Sequence, residues 1–267
     1  MNSPITGNTR ILALIADPIV QARTPGMANA LLEQRQLLGK FVLLPMHVSA
    51  QGIIPVVDAL RQIKNFSGAV VSMPHKSAIV ELIDELTLEA RLVGAVNVIR
   101  RNADGRLIGT ILDGEGFVTG LLSAGHRVSA ARCLLAGAGG AASAIAFALA
   151  KHGCASLCIT NRTHARAEAL ASRIQLAFPH ISISTEPDPS QNFDIAINAT
   201  PLGMQPNDEL PFSSALIDRS TLLAECVIAP EMTPLLEFAA SKGKLVHTGV
   251  PMLAGQMRLM LDFMGVE

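Results

Sequence analysis

Short apolar runs of strand length recur along the chain, and amphipathic stretches of helical period fill the gaps between them. That alternation predicts parallel α/β sheets. In the first half, runs at 11–16, 41–47, 68–72, 95–100 and 106–112 read as strands, with helices over 25–38, 51–64 and 76–85. Pro25 suits a first helical turn, where its missing N–H costs nothing. A second series has strands at 132–136, 155–160, 181–184, 194–199, 221–228 and 244–248, with helices over 141–152 and 164–177 and a polar loop at 186–193. The stretch Asp113-Gly114-Glu115-Gly116 opens a helix at 117–124 that links the two series, and a last helix runs over 252–264. The expected domains are 1–112, with 249–267 packing back on it, and 113–248.

Composition narrows the classes. Charged residues are 16% of the 267 positions and hydrophobic residues 49%, against a typical charged share of about 25%. This is a globular composition and excludes a disordered chain. A net charge of −1 carries no global footprint for nucleic acid. No apolar run reaches the length of about 20 residues that a membrane helix needs, and the first residues lack the basic head and apolar stretch of a signal peptide. With no Tyr in the chain, a Tyr-x-x-x-Lys acid/base pair is excluded. The four Cys form no C-x-x-C pair and read as reduced, buried thiols of a cytoplasmic protein. The seven His are dispersed without ligand spacing, so no metal is expected.

The strongest local signal is the apolar run ending in Gly137-Ala138-Gly139-Gly140-Ala141-Ala142, followed by a helix. It fits G-x-G-x-x-A, in which glycines allow a tight turn and close approach of backbone to a pyrophosphate at a helix N-terminus. An NAD site would carry Asp or Glu about 20 residues on, to accept from the ribose hydroxyl. This chain has Thr160-Asn161-Arg162-Thr163 there, with Arg166 close behind. Two guanidiniums and no carboxylate suit a 2′-phosphate, so NADP is the expected cofactor.

Candidates for chemistry lie in the first half. Ser72-Met73-Pro74-His75-Lys76 follows a buried strand, and Lys76 at a helix start would have its pKa lowered by the dipole. Taken alone, such a lysine is more often a solvated surface residue, and His75 reads most simply as a loop histidine. Asp113, before Gly114, reads either as a helix cap or as an acid/base partner. Asn97 in an apolar run calls for a specific partner or ligand.

These motifs, in this order, resemble the shikimate and quinate dehydrogenase family over almost the whole length. Asp17-Pro18-Ile19 with Thr24-Pro25, Ser72 to Lys76, GAVN at 94–97, DG-x-G at 113–116 and GAGGAA at 137–142 carry the resemblance. NRT at 161–163, NAT-x-x-GM at 198–204, TPLL at 233–236 and G-x-x-ML-x-x-Q at 249–256 complete it. The resemblance implies an N-terminal α/β substrate domain, an NADP-binding Rossmann domain and a substrate cleft between them. It implies Lys76 and Asp113 as the catalytic pair and Thr24, Ser72, Asn97 and Gln256 as substrate ligands. For the cofactor it implies Gly137, Gly139, Gly140, Ala141, Asn161, Arg162, Thr163, Arg166, Thr200, Gly249 and Met252. A cytoplasmic monomer or homodimer acting on a small molecule, with no nucleic acid or membrane partner, is expected.

Four positions depart from the family pattern. Ala22 and Val70 stand where Ser and Asn are usual, Ile111 where Asn is, and Ile228 where Tyr is. Each loses a polar contact, so quinate or another hydroxy acid, or a non-catalytic NADP-binding relative, are the alternatives.

Overall fold

Strand β1 (Arg10–Ala16) is buried over its last five residues because both of its faces are covered. It lies between β2 (Phe41–His47) and β3 (Phe66–Val71), parallel to each. The computed structural model describes residues 4–205 and 207–267. It divides into two compact units, Met1–Leu112 with Met257–Glu267, and Asp113–Gln256.

In the first unit, α1 (Thr24–Gln34) joins β1 to β2, and α2 (Ile53–Gln62) joins β2 to β3. Then follow α3 (His75–Ala78), β4 (Glu85–Leu86), α4 (Leu88–Val93), β5 (Val98–Arg101) and β6 (Leu107–Thr110). The sheet order is β2-β1-β3-β5-β6-β4. This half departs from the purely parallel expectation: β5 runs antiparallel to both β3 and β6. The link Asn102-Ala103-Asp104-Gly105-Arg106 is too short for a crossover and turns back as a hairpin, with Gly105 at φ +90° and the Arg106 N–H donating to Asp104 Oδ1 at 3.1 Å. The helix expected over 76–85 is one turn of α-helix, a 3-10 turn (Ile79–Leu82) and a strand, because Glu85 and Leu86 pair with β6. The tail of the chain belongs here, where the side chain of Met264 covers the bare backbone of Gly68, 2.7 Å from where a Cβ would stand.

The second unit is a fully parallel sheet of order β12-β11-β10-β7-β8-β9. In chain order it holds α5 (Asp113–Ser123), β7 (Arg132–Ala136), α6 (Gly140–Lys151), β8 (Ser156–Thr160), α7 (His164–Ala177) and β9 (Ser182–Ser184). Next come β10 (Phe193–Asn198), α8 (Ser214–Asp218), β11 (Ser220–Glu225), α9 (Pro234–Ser241), β12 (Leu245–His247) and α10 (Val250–Phe263), the last divided between the units after Gln256. Buried Leu134, Phe193, Leu223, Leu235 and Leu236 form the core under α9. Helix α6 is apolar on all sides, as a helix covered all round must be.

Helix α5 starts at Asp113, four residues before its expected start, so the glycines of the DGEG stretch are helical. Interior helical glycine costs about 1 kcal/mol against alanine. Close packing explains why it is kept. A Cβ on Gly114 would stand 2.6 Å from the Ala144 carbonyl carbon of α6, and one on Gly116 2.6 Å from the Gln256 Cβ of α10. The thiols of Cys133, Cys154 and Cys158 are free and buried as expected, whereas Cys226 lies past the end of β11 and is half-exposed.

His247 is 4% exposed at the end of β12, edge-on to Phe117 and His126, and its Nε2 has no hydrogen-bond partner among the described residues. Burial, aided by the charge of His126, lowers its pKa from 6.5 to about 4. Across that window the unfolded chain binds the extra proton, so stability falls as pH drops from about 6.5 to 4. Denaturant unfolding at stepped pH should show this slope, and His247→Phe should flatten it.

Candidate active site

Because β1, β2 and β3 are parallel, their carboxyl ends share one edge of the first sheet, and the segments leaving them are laced together. Ser72 N–H donates to Ile15 O at 2.9 Å, and Asp17 N–H to Met73 O at 2.9 Å. Val71 N–H donates to Asn97 O at 2.7 Å and Val96 N–H to Lys76 O at 2.8 Å, which brings Ser72, Lys76 and Asn97 together. Asn97 is 1% exposed, and its Oδ1 accepts from Leu112 N–H at 2.8 Å. Thr24 is buried at the first position of α1, on the same edge. Ala22 stands just before it with no polar group to offer, and Arg23 is exposed.

Three residues of this edge make contacts that the sequence does not announce. His75 is 1% exposed and donates from Nε2 to Val48 O at 2.8 Å, so it ties the Lys76 turn to the chain after β2. Asp17 Oδ1 and His47 Nε2 are hydrogen-bonded at 2.7 Å at the ends of β1 and β2. The helix-dipole argument for Lys76 fails, because α3 has only four residues and sums few peptide dipoles.

In the second unit the glycine turn leaves β7 at the point where strand order reverses between β7 and β10, the usual place for a ligand crevice in an open parallel sheet. Gly137 has φ +119°, and a Cβ there would stand 2.7 Å from Ala199 O. Gly139 caps α6, and nothing lies within 4 Å of where its Cβ would be. Bare backbone facing open space, with the first N–H groups of a twelve-residue helix behind it and no side-chain cap, is a cradle for phosphate. Gly140 and Ala141 form the first helical positions. One strand over, Asn161, Arg162, Thr163 and Arg166 follow β8, with both guanidiniums exposed and Asn161 Nδ2 donating to Thr163 O at 2.9 Å. The sequence between β8 and Arg166 holds no carboxylate. Together these groups fit NADP.

Thr200 follows β10 with its hydroxyl committed to its own loop: it donates to Asn198 Oδ1 at 2.7 Å and accepts from Leu202 N–H at 3.1 Å. Behind it, Glu225 is fully buried and accepts from Asn198 Nδ2 and Thr233 Oγ1. Burial pushes the Glu225 carboxyl above its usual pKa, and these donors pull it back. Gly249 lies against backbone, its would-be Cβ 2.8 Å from the Val227 carbonyl carbon. Met252 and Gln256, 6% and 5% exposed, follow on α10, and Asp113, 3% exposed, opens α5. Lys76 and Asp113 thus belong to different units.

Residues 14–99 match the shikimate dehydrogenase substrate binding domain, and 122–203 match the shikimate / quinate 5-dehydrogenase family. A relative from Geobacter metallireducens named shikimate dehydrogenase (NADP(+)) is 38% identical, over 94% of this chain and 90% of its own. The shikimate 5-dehydrogenase of Listeria monocytogenes, solved with shikimate and NAD, superposes with a TM-score of 0.88 at 31% identity, covering 100% of this chain and 95% of its own. That of Thermus thermophilus, solved with NADP(H) and shikimate, gives 0.85 at 28% identity, covering 96% and 93%. A substrate-binding α/β unit followed by a Rossmann unit, both matched in order along one chain, leads to one conclusion: this chain belongs to the shikimate dehydrogenase family.

Proposed function

We propose that this chain is an NADP-dependent oxidoreductase that moves hydride reversibly between NADP(H) and a shikimate-like alicyclic hydroxy acid, shikimate going to 3-dehydroshikimate. The observation that carries it is the open glycine cradle at α6 beside two exposed arginines after β8, in one chain with the Ser72, Lys76 and Asn97 cluster. The Geobacter relative bears an NADP-linked name, and the Thermus structure was solved with both ligands.

Gly137, Gly139, Gly140 and Ala141 take the pyrophosphate on backbone, and Asn161, Arg162, Thr163 and Arg166 hold the 2′-phosphate. Thr200, Gly249 and Met252 line the nicotinamide side. When bound, NADP+ supplies the acceptor for the hydride. Oxidising a secondary alcohol also releases the hydroxyl proton. Lys76 Nζ takes that proton and passes it to water, and returns one to the carbonyl oxygen in the reverse direction; Asp113 stabilises the ammonium form. Thr24, Ser72, Asn97 and Gln256 hold the substrate's carboxylate and remaining hydroxyls. On the same reading the enzyme works in the cytoplasm as a monomer or homodimer. No helix among the described residues is long and apolar enough to cross a membrane.

Ala22 favours a second reading within the same chemistry, a different hydroxy acid such as quinate, because it offers no hydrogen bond at the edge where Thr24 does. Initial rates of NADP reduction with shikimate beside quinate test both. Turnover of shikimate supports the first, a quinate preference the second, and no turnover of either or of aminoshikimate overturns the reaction class. In the same assay Arg162→Ala with Arg166→Ala should weaken NADP roughly 10- to 100-fold and NAD hardly at all, the worth of one charge-assisted hydrogen bond.

A further inference from the structure

Glu225 ends β11 at 0% exposure, and the groups bonded to it among the described residues are donors. Asn198 Nδ2 lies 3.0 and 3.1 Å from its two oxygens, Thr233 Oγ1 donates to Oε1 at 2.8 Å, and Val227 N–H to Oε2 at 3.3 Å. A carboxylate facing donors dictates which way the Asn198 amide points. Its nitrogen turns to Glu225 and to Leu202 O at 2.8 Å, which leaves Oδ1 to accept from Thr200 N–H at 3.0 Å and from the Thr200 hydroxyl at 2.7 Å. Reversing the amide would set oxygen against carboxylate and N–H against N–H. The 199–202 loop is therefore wound around one side chain whose orientation Glu225 sets.

That loop is a wall of the dinucleotide crevice. Ala199 N–H donates to Ala136 O at 2.9 Å, and Ala199 O occupies the space that makes Gly137 a glycine. On the other side, Val227, whose N–H is held by Glu225, presents the carbonyl on which Gly249 packs. A buried carboxylate is a poor source of net stability, since an apolar side chain of similar volume often does as well. What it provides here is a fixed polarity for a chain of hydrogen bonds.

We propose that Glu225 is a positioning residue for NADP binding, setting through Asn198 the 199–202 loop against Gly137 and through Val227 the backbone beneath Gly249. The proposal rests on the NADP reading above. Its test exchanges the polarity of the pair. Glu225→Gln keeps one acceptor but turns an NH2 towards Asn198 Nδ2 and the Val227 N–H, and Asn198→Asp sets two carboxylates together. The double variant restores one donor facing one acceptor and keeps an Asp oxygen for Thr200, while the contact to Leu202 O is lost. Each single variant should raise the NADP Kd and KM about tenfold or more, with a smaller change in kcat, and the double should recover part of that loss. The proposal is overturned if folded single variants bind NADP like wild type, or if the double is no better than the worse single. Should the singles not fold, Thr233→Val removes one donor from the carboxylate, together with the hydroxyl cap of α9, and leaves Asn198 in place. It should weaken NADP about threefold, and unchanged binding would equally overturn the proposal. Wild-type protein that fails to bind NADP would refute the cofactor reading instead.

Discussion

Replacing Lys76 by alanine lowers kcat for NADP-linked oxidation by about 10²–10⁴, the usual contribution of a positioned acid/base group, and leaves the NADP Kd unchanged. The separation is expected because the Lys76 turn is held by backbone and by a neighbour. Val96 N–H bonds the Lys76 carbonyl, His75 bonds Val48 O, and neither contact uses the ammonium group. Alanine keeps that turn, and the glycine cradle lies in the other unit. Steady-state rates with NADP titrated by fluorescence read the two effects separately. A variant with wild-type kcat would remove Lys76 from the chemistry, and one with equal losses in kcat and NADP affinity would give it a structural role.

Gly114→Ala is expected to be the most damaging single methyl in the second unit. The added carbon would overlap the Ala144 carbonyl, with the carbonyl carbon 2.6 Å away and the Ala148 Cβ at 2.9 Å. The carbonyl atoms are backbone of a buried helix, which no rotamer change relieves. Alanine's better helix propensity returns about 1 kcal/mol, but overpacking against main chain costs about 3 kcal/mol. The midpoint of thermal unfolding should drop by roughly 5 °C. Activity should fall further than stability alone implies, because α5 must move and Asp113 is its first residue. As a control, Gly125→Asn sits at φ +82° with nothing within 4 Å, a conformation Asn tolerates, and should cost little. A Gly114→Ala protein as stable and active as wild type would contradict this packing.

Signals that are local in sequence agree with the structure. The helix over 164–177 and the strand–glycine–helix passage at 132–151 follow from periodicity and from glycines that nothing else replaces. The antiparallel β5–β6 pair was legible in principle, since five residues between two apolar runs leave no room for a crossover helix. It was absorbed into the parallel pattern of its neighbours. The one-turn α3 was hidden for another reason: amphipathic spacing over 76–85 matches a helix, and only pairing with β6 decides against it. The Glu225 network joins residues 27 and 8 positions apart, which no periodicity reports. Its one trace is a charged residue inside the run Thr221-Leu222-Leu223-Ala224-Glu225, where burial demands a partner. His75 and the Asp17–His47 pair were silent because their partners lie on other strands or are main chain.

The last helix has a consequence for the order in which the protein can be completed. The second unit is one continuous stretch, Asp113–Gln256, set into the first, whose final segment is Met257–Glu267. On the ribosome the unit begun first is therefore finished after the second. Until Met264 emerges, Gly68 and the strand pair beneath it wait for it to cover them, while the whole of Asp113–Gln256 has already been made. A chain cut before Met264 would thus be harmed far back in the sequence, at Gly68 on the strand that leads to Lys76.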